Sequence, residues 1–247
     1  MLSQTKIYFF KFQDKSAKWF AFRQMYEARF ALKKFKGITF FKLMGSGSGQ
    51  GFSLWPDFST YSLLVTFKDL QAKKDFENSN WFINYNHKAA YMASATLHAF
   101  KGHGTWKKQQ PFPIESSNHK LKPICVLTRA TIKPFLAPIF WLFVSAVSKA
   151  VWRQKKLIYA KGIGTKPFLE LATFSIWKNE EAIESFAYRK NPHREAVVKT
   201  RKMKWFKEEL FMRFSFEPDY LHDWVHFIPK EKMHLLTPKY SVFKVIS

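Results

Sequence analysis

Hydrophobic residues in the first half of the chain fall into short runs with the spacing of strands and one longer run with the spacing of a helix. Lys6–Phe12, Ile38–Met44 and Tyr61–Phe67 are short aromatic and aliphatic runs, which favour strands. Ser16–Phe35 has the period of an amphipathic helix, and Gly37 ends it. The apolar set of this helix is Trp19, Phe22, Met25, Tyr26, Phe30 and Leu32.

The first half then continues as helix and strand. Asp69 is the predicted N-cap of a helix over Asp69–Phe76, and Trp81–Ala95 continues with helical character. Thr96–Trp106 is predicted to return as a strand. Two glycine-bearing segments, Gly45–Gly51 and Gly162–Pro167, are predicted to be loops.

The second half repeats this order after a polar, proline-bearing connector at 111–123. Its predicted strands are Ile124–Ile132, Leu157–Gly162, Phe168–Trp177 and Phe211–Phe216. Its predicted helices are Ala137–Lys149, Glu180–Tyr188 and His193–Leu210, of which the third continues the second.

The two halves match in detail where a strand passes into a helix. Phe67-Lys68-Asp69, with Ala72 and Phe76 after it, aligns with Trp177-Lys178-Asn179, Ala182 and Phe186 at a constant offset of 110 residues. A repeat with β-α-β-β-α-β order predicts two ferredoxin-like units. Two such sheets pack into an α+β barrel of the dimeric type, here within one chain and with a cavity inside.

This interpretation divides the chain into four parts. The first ferredoxin-like half covers 1–110, the connector 111–123 and the second half 124–217. The extension at 218–247 stands outside the repeat. Because it carries Tyr220, Trp224, Phe227, Tyr240 and Phe243, we expect it to pack against the rest of the chain.

Charge and composition narrow the class of protein without choosing a function. The 41 Lys and Arg residues against 18 Asp and Glu give a net charge of +23, which attracts nucleic acid or an anionic membrane surface. Cys125 is the one cysteine, which fits a reducing compartment. The longest apolar run, Ile139–Ala146, is too short to span a bilayer, and the N-terminal segment lacks a signal-peptide core. The expectation is a cytoplasmic protein, peripheral on the inner face of the membrane.

The segment Phe186–Phe214 supplies the main candidate for chemistry. Asn191 is a predicted N-cap and Pro192 suits the first turn of a helix. His193 then lies in that first turn, on a stripe that it shares with Val197, Thr200 and Lys204. The alternative is a histidine that caps the helix or is partly exposed.

Three stretches together resemble one family, the spheroidene monooxygenases of carotenoid biosynthesis. They are Phe41–Phe52 (FKLMGSGSGQGF), Val126–Ile132 (VLTRATI), and Gly162–Trp177 (GIGTKPFLELATFSIW) followed by Phe186–Phe214. The resemblance covers roughly residues 5–217 and leaves out the extension. It implies an enzyme that uses non-covalent haem b, O2 and electrons from a ferredoxin-type partner. The implied substrate is an acyclic carotenoid, converted to hydroxy- and then keto-carotenoids.

The resemblance makes His193 the expected proximal ligand of the haem iron, because one neutral imidazole with the opposite face open suits O2 activation. His87, on the corresponding helix of the first half, is the second choice. His222 and His226 have the spacing of a metal pair on a helix, but no third ligand accompanies them. The absence of a C-x-x-C-H motif excludes covalent c-type haem.

Further residues are expected to hold the cofactor and the substrate. Arg129, inside a predicted strand, is the first candidate to bind a haem propionate, because an arginine there needs a partner. Arg201 and Lys204 are the next candidates, and Val197 and Thr200 lie one and two turns beyond His193 on its stripe. An apolar tunnel for the polyene is expected from Phe41, Leu43, Phe67, Phe174 and Trp177.

Other functions stay open at this point. A haem protein of the same fold could act on another substrate, or serve as a haem carrier or sensor. A basic nucleic-acid-binding module agrees with the charge, but no recognised nucleic-acid motif is present, so we expect no nucleic-acid partner. The oligomeric state is expected to be a monomer or a homodimer.

Overall fold

A computed structural model describes residues 3–49, 53, 55–115, 123–152, 154–166, 168–188 and 205–236. Within these residues, eight strands form a closed barrel in which all neighbouring strands are antiparallel. The strands are β1 (Gln4–Lys11), β2 (Ile38–Gly47), β3 (Pro56–Phe67), β4 (Tyr91–Gly104), β5 (Ile124–Ile132), β6 (Leu157–Lys166), β7 (Glu170–Trp177) and β8 (Phe206–Pro218). The α-helices are α1 (Lys15–Lys33), α2 (Leu70–Glu77), α3 (Asn80–Lys88), α4 (Ala137–Trp152) and α5 (Glu180–Tyr188).

The barrel closes at two seams of unequal length. Its strand order is β1-β3-β2-β6-β7-β5-β8-β4, so each half of the chain supplies four adjacent strands. One seam is long and pairs β4 with β8 from Ala95 opposite Pro218 to Gly104 opposite Leu210. The other joins β2 to β6 only through Gly45 opposite Gly164 and Ser46 opposite Ile163. The prediction of an α+β barrel is confirmed, and its weaker seam lies at the two glycine-bearing segments.

The interior of the barrel is a packed aromatic and aliphatic core. Phe9 of β1 contacts Phe174 of β7, with ring centroids 5.2 Å apart, and Phe174 contacts Phe216 of β8 at 6.4 Å. The 3₁₀ segment Leu221–His226 of the extension adds Trp224, which is fully buried and whose ring centroid lies 5.2 Å from that of Phe216. Side chains are in contact across the interior at this level.

The described part of the C-terminal extension packs against the barrel, as expected. Asp219 forms an ion pair with the fully buried Lys6 and accepts a hydrogen bond from the Ser94 hydroxyl. Trp224 donates its indole N–H to the Ser94 carbonyl at 3.3 Å. Residues 237–247 lie outside the described residues.

Helix α1 forms as predicted, but most of its apolar set faces away from the core. The buried residues are Ala17, Ala21, Ala28 and Leu32, which lie on one side of the helix. The opposite side presents Trp19, Phe22, Tyr26 and Phe30, all exposed. The small alanines let this side of the helix lie close to β2 and β3, where Leu43 and Tyr61 belong to the same buried cluster.

Several element predictions were wrong at their boundaries. The glycine-bearing segments begin as strand, since β2 runs to Gly47 and β6 to Lys166. Residues 91–95 are not helical, because Ala93 and Ala95 pair with Phe9 and Ile7 in the barrel. Residues 206–210 are the start of β8 rather than the end of a helix. Their burial alternates towards Leu210, which is the period of a strand facing a core. The preceding segment, 189–204, lies outside the described residues.

The two positions aligned by the internal offset have the same local structure. The Asp69 carboxylate accepts a hydrogen bond from the Ala72 backbone N–H at 2.7 Å and caps α2. The Asn179 side chain accepts one from the Ala182 N–H at 3.0 Å, just before α5. These polar side chains satisfy N–H groups that a helix leaves unpaired at its start. In the described part of the chain, no helix combines the length and apolar character needed to cross a bilayer.

Candidate functional site

A cavity of about 510 Å³ lies over the short β2–β6 seam, between α1 of the first half and α4 of the second. Its size falls within the range of pockets that bind small organic ligands. Helix residues at its wall are Phe22, Met25 and Trp141. Its other lining residues are Gly45, Ser46, Gly47, Ser53, Trp55, Pro56, Asp57, Phe58, Tyr61, Gly162, Ile163, Gly164, Thr165, Lys166, Phe168 and Leu171.

Two glycines permit the close backbone approaches around this cavity. A Cβ atom at Gly164 would lie 2.7 Å from the Glu170 carbonyl oxygen, a distance that real Cβ atoms do not tolerate. A Cβ atom at Gly47 would lie 3.2 Å from both the backbone nitrogen and the carbonyl oxygen of Ser53. The absence of side chains here lets the β6–β7 turn and the 53–57 segment fold tightly beside the seam.

The rim of the cavity is held by a small hydrogen-bond network. The Ser48 backbone N–H donates to the Trp55 carbonyl at 2.7 Å, and the hydroxyls of Ser48 and Ser53 lie 2.8 Å apart. The Trp55 N–H donates to the Ser53 hydroxyl at 3.1 Å. With its backbone fixed in this way, Trp55 presents a side chain that is 77% exposed at the cavity mouth.

One ion pair links the two halves beside the cavity. The Lys161 ammonium of β6 lies 3.0 Å from an Asp57 carboxylate oxygen of β3 and donates to the Gly49 carbonyl at 3.0 Å. Burial opposes ionisation of Asp57, but the Ser59 hydroxyl and Lys161 outweigh it, and the pKa of Asp57 is lowered. The Asp57 carboxylate therefore stays ionised at neutral pH, and its contact with Lys161 joins the two halves beside the seam.

The remaining polar group of interest at the wall is the Tyr61 phenol. Burial and the nearby Asp57 charge raise its pKa to about 12, so it stays neutral at physiological pH. Among the described lining residues none is a histidine or cysteine. The cavity is therefore suited to hold an apolar molecule rather than to perform acid–base or thiol chemistry.

A second polar cluster lies inside the barrel, apart from this cavity. Arg129 is 3% exposed and forms an ion pair with Glu208, which also accepts hydrogen bonds from the Thr105 hydroxyl and the Lys108 N–H. Burial opposes ionisation of Glu208, but these donors lower its pKa to about 2. Nearby, burial and the neighbouring Lys107 ammonium lower the pKa of Lys42 to about 8.

The comparisons with known proteins decide the family. The chain is 32% identical over 208 residues to a spheroidene monooxygenase of Rhodobacter capsulatus, covering 83% of this chain and 86% of that protein. The chain belongs to the spheroidene monooxygenase family. The resemblance seen in the sequence is thereby confirmed.

Two other spheroidene monooxygenases agree with this membership. The protein of Cereibacter sphaeroides is 31% identical over 208 residues, 83% of this chain but 64% of its own length. The protein of Rubrivivax gelatinosus is 30% identical over 184 residues, covering 72% of this chain and 68% of its own. The chain thus spans somewhat less than two thirds of the length of the Cereibacter relative. No protein-family model matches the chain.

Solved structures share the fold at low sequence identity. An aldoxime dehydratase in complex with butyraldoxime has a TM-score of 0.57 at 7% identity, covering 87% of this chain and 79% of its own. A second aldoxime dehydratase structure has a TM-score of 0.50 at 10% identity, covering 87% and 81%. At these identities the likeness shows the architecture alone.

In this spheroidene monooxygenase family member, none of the five predicted tunnel residues lines the seam cavity. Phe67 and Leu43 lie under the helices of the first half, and Phe41 packs at the edge of the same cluster. Phe174 is inside the barrel, and Trp177 lies beneath α5 against Phe186. They are core residues, because strand aromatics on a barrel covered by helices face either the interior or a helix.

The predicted cofactor residues fall into two groups. His193, Val197, Thr200, Arg201 and Lys204 lie outside the described residues, so their roles stay predictions. Arg129 is described, and its guanidinium already has Glu208 and Thr131 as partners. His87 is exposed at the end of α3.

The other described histidines also lie at or near the surface. His98 is flanked by Glu115 and Glu217 at 3.3 and 3.4 Å, and His103 stacks on Phe211. His226 stacks on Tyr91 with ring centroids 3.6 Å apart, while His222 is 80% exposed. Among the residues described, no three acidic, histidine or cysteine side chains converge as a metal site.

Sequence reasoning missed Phe22, Phe58 and Trp141 as lining residues. Each lies on a different element, and their meeting depends on how the halves close. The available signal was the pair of glycine-bearing segments, one in each half, which the structure brings together at the seam.

Proposed function

We propose that this protein is a monooxygenase that hydroxylates an acyclic carotenoid and can oxidise the product further to a ketone. One observation carries the proposal beyond family membership. Two of the stretches that resemble the family, Phe41–Phe52 and the start of Gly162–Trp177, meet at the seam and together line one apolar cavity.

The cavity suits one end of a polyene. Its walls are aromatic and aliphatic, with Phe58, Phe168 and Leu171 among them, and its charged groups are Asp57 and Lys166. Asp57 is engaged by Lys161, and Lys166 by Glu170 at 3.2 Å. Since these charges are paired, a hydrocarbon bound here would displace water from apolar surface without stripping an unpaired ion. The rest of a long chain would extend past the rim.

We propose haem b as the cofactor, with His193 as the ligand of its iron. The described residues do not supply this ligand by themselves, because none of their histidines lines the cavity and each lies at or near the surface. When bound, haem supplies the activation of O2. One oxygen atom enters a C–H bond of the carotenoid and the other leaves as water, with electrons from a ferredoxin-type donor and protons from solvent.

Two buried donors near the second half fit an acidic group of such a cofactor. The Trp152 indole N–H at the end of α4 and the Lys232 ammonium are both buried and have no hydrogen-bond partner among the described residues. The Lys232 ammonium lies 4.8 Å from the centre of the Trp152 ring. Buried donors are costly unless paired. A haem propionate would satisfy both, whereas at Arg129 it would have to displace Glu208.

The cofactor proposal is tested by absorption spectra of protein produced with a haem supply. We expect a Soret band in the wild type that is lost or shifted in His193→Ala and unchanged in the matched control His87→Ala. A band that His193→Ala leaves unchanged contradicts the assigned ligand, and the absence of any band contradicts haem dependence.

Substrate and reaction are tested separately with acyclic carotenoid, O2 and a reducing system. The expected product is the hydroxy-carotenoid, followed by the ketone, resolved by chromatography and mass. Protein that binds haem but gives no reductant-dependent product would be a haem carrier or sensor, which contradicts the proposed activity.

We also propose that the barrel is built from two ferredoxin-like repeats. The strand orders β4-β1-β3-β2 and β8-β5-β7-β6 are equivalent along the chain, and support this interpretation. The paired caps at Asp69 and Asn179 support it further. Each repeat would then contribute one wall of the seam cavity.

A further inference from the structure

The mouth of the seam cavity opens within an exposed aromatic surface. Phe22, Trp55, Phe58 and Phe168 line the cavity and are themselves 46%, 77%, 51% and 49% exposed. The Phe22 and Phe58 rings are in contact, with centroids 5.8 Å apart. Exposed apolar side chains that occur singly are ordinary, but a contiguous group around a cavity marks an interaction site.

Helix α1 extends this surface away from the cavity. Trp19 stacks on Phe22 at 5.8 Å, and Tyr26 contacts Phe30 at 5.6 Å along the same outer side of the helix. Beyond the cavity on the α4 side, Phe135 and Leu142 are 75% and 78% exposed. We call these residues, together with the four at the mouth, the aromatic rim.

The turn that carries Phe168 is strained in a way that displays this side chain. Phe168 has φ +66°, a left-handed conformation that is uncommon for a bulky residue. Its carbonyl accepts a hydrogen bond from the Trp141 indole N–H at 3.3 Å, which fixes the turn against α4. The conformation is therefore maintained by packing while the ring stays at the mouth.

Positive charge lies among these rings. The Arg29 guanidinium lies 3.8 Å from the centre of the Tyr26 ring and 4.7 Å from that of Phe30. Lys166 lines the mouth with a side chain that is 67% exposed, and its ammonium lies 3.2 Å from the Glu170 carboxylate. Tryptophan and tyrosine at an interface, with arginine and lysine beside them, suit the headgroup region of an anionic bilayer.

We propose that the aromatic rim inserts into the surface of an anionic membrane, so that the cavity mouth opens towards the lipid. The charge of the chain favours this occupant over a second copy, because two chains of +23 would repel each other across a shared basic face. The route for the ligand rests on the proposed function: a lipophilic carotenoid would pass from the bilayer into the cavity without crossing water. The docking itself rests only on the rim.

The test is co-sedimentation of the full chain with lipid vesicles, without carotenoid. The probes are vesicles of phosphatidylcholine alone and of phosphatidylcholine with phosphatidylglycerol. The variant Trp19→Ser/Tyr26→Ser/Phe30→Ser removes rim residues that do not line the cavity. Leu70→Ser/Ile114→Ser/Tyr220→Ser is the matched control, since these side chains are similarly exposed and lie outside the rim.

We expect the wild type to bind the anionic vesicles more strongly than the neutral ones. The rim variant should lose roughly tenfold or more in affinity, whereas the control triple should stay within about twofold of the wild type. Equal loss in the two triple variants would overturn the proposal. So would a wild-type dimer in light scattering that the rim variant dissociates, because the rim would then bind a second copy.

Carotenoid conversion is measured on the same proteins in detergent, where docking is not needed. Vesicle binding that depends on the rim in a protein without oxygenase activity would leave the docking in place and remove the proposed function. Full activity together with vesicle binding that the rim substitutions do not change would leave the proposed function in place and contradict the docking.

Discussion

Trp224 and Trp55 show two opposite uses of an aromatic side chain in one protein. Trp224 is fully buried in the barrel, in ring contact with Phe9 and Phe216, and closes its core from the C-terminal extension. Trp55 is 77% exposed and lines the mouth of the seam cavity. A high aromatic content therefore serves both a sealed interior and an open apolar site, and the two are separated by the wall of the barrel.

The candidate cavity lies where the wall of the barrel is least continuous. The extension brings Trp224 and Ile228 into the interior core, so that space holds protein side chains. Closure of the barrel is weakest at the β2–β6 seam, where glycines and two residue pairs join the halves. An apolar cavity forms at that seam because helices from different halves flank it without filling it.

The largest expected effect is a loss of folding stability when the buried Trp224 is replaced. Trp224→Ala should lower the free energy of unfolding by about 3–5 kcal/mol, because it leaves a large hole in a packed core. Trp55→Ala should change it by about 0.5 kcal/mol or less, since that side chain packs little. Chemical denaturation of both variants measures the difference. Equal destabilisation would show that the two tryptophans are not used differently.

The next effect concerns the charged cluster inside the barrel. Glu208→Ala leaves the Arg129 guanidinium buried without its acidic partner, and we expect a loss of about 3 kcal/mol in the free energy of unfolding. Glu181→Ala is a suitable control, because its ion pair with Lys156 is exposed and contributes little. A loss no larger than that of the control would contradict the structural role of this pair.

The same pair predicts how stability depends on acidity. The pKa of Glu208 is lowered to about 2 in the folded protein, below its ordinary 4.5. Its carboxylate therefore stabilises the fold above about pH 4.5, and this contribution is lost as the pH falls towards 2. Denaturation midpoints of wild type and Glu208→Gln measured across that interval should converge at the acid end. Parallel curves would contradict a lowered pKa.

A smaller effect, on carotenoid binding, is expected from a substitution in the wall of the seam cavity. Phe58→Ala removes an aromatic wall that is half exposed, so stability should change little while carotenoid binding weakens by roughly tenfold. Phe67 is a buried residue of the predicted tunnel. The substitution Phe67→Ala should therefore destabilise the fold while carotenoid binding by the folded protein changes little. Titration with carotenoid, followed by its absorption change, measures the binding. Unaltered binding in Phe58→Ala would place the ligand elsewhere.

Much of the architecture was available in the sequence. Ile124–Ile132 and Glu180–Tyr188 have the bounds predicted for them, and the Asp69 cap forms as expected, because these depend on local spacing and local hydrogen bonds. The errors arose where tertiary pairing overrides propensity. Ala93 and Ala95 favour a helix locally but are strand residues, because β4 pairs with β1 here and places them opposite Phe9 and Ile7.

The site was less accessible to sequence reasoning. The aromatic stripe of α1 has the period of a core-facing surface, yet it faces outwards, and the alanine-bearing side of the helix packs on β2 and β3 instead. Hydrophobic period alone does not say which of two apolar sides is covered. Phe67 and Phe174, two of the predicted tunnel residues, are strand aromatics on opposite sides of the barrel wall.

The position of the substrate is tested most directly by an experimental structure of the protein with an acyclic carotenoid bound. We predict that one end of the polyene lies over the β2–β6 seam, between α1 and α4, in contact with Phe58 and Trp141. Ligand found inside the barrel, or bound with the seam cavity empty, would contradict it.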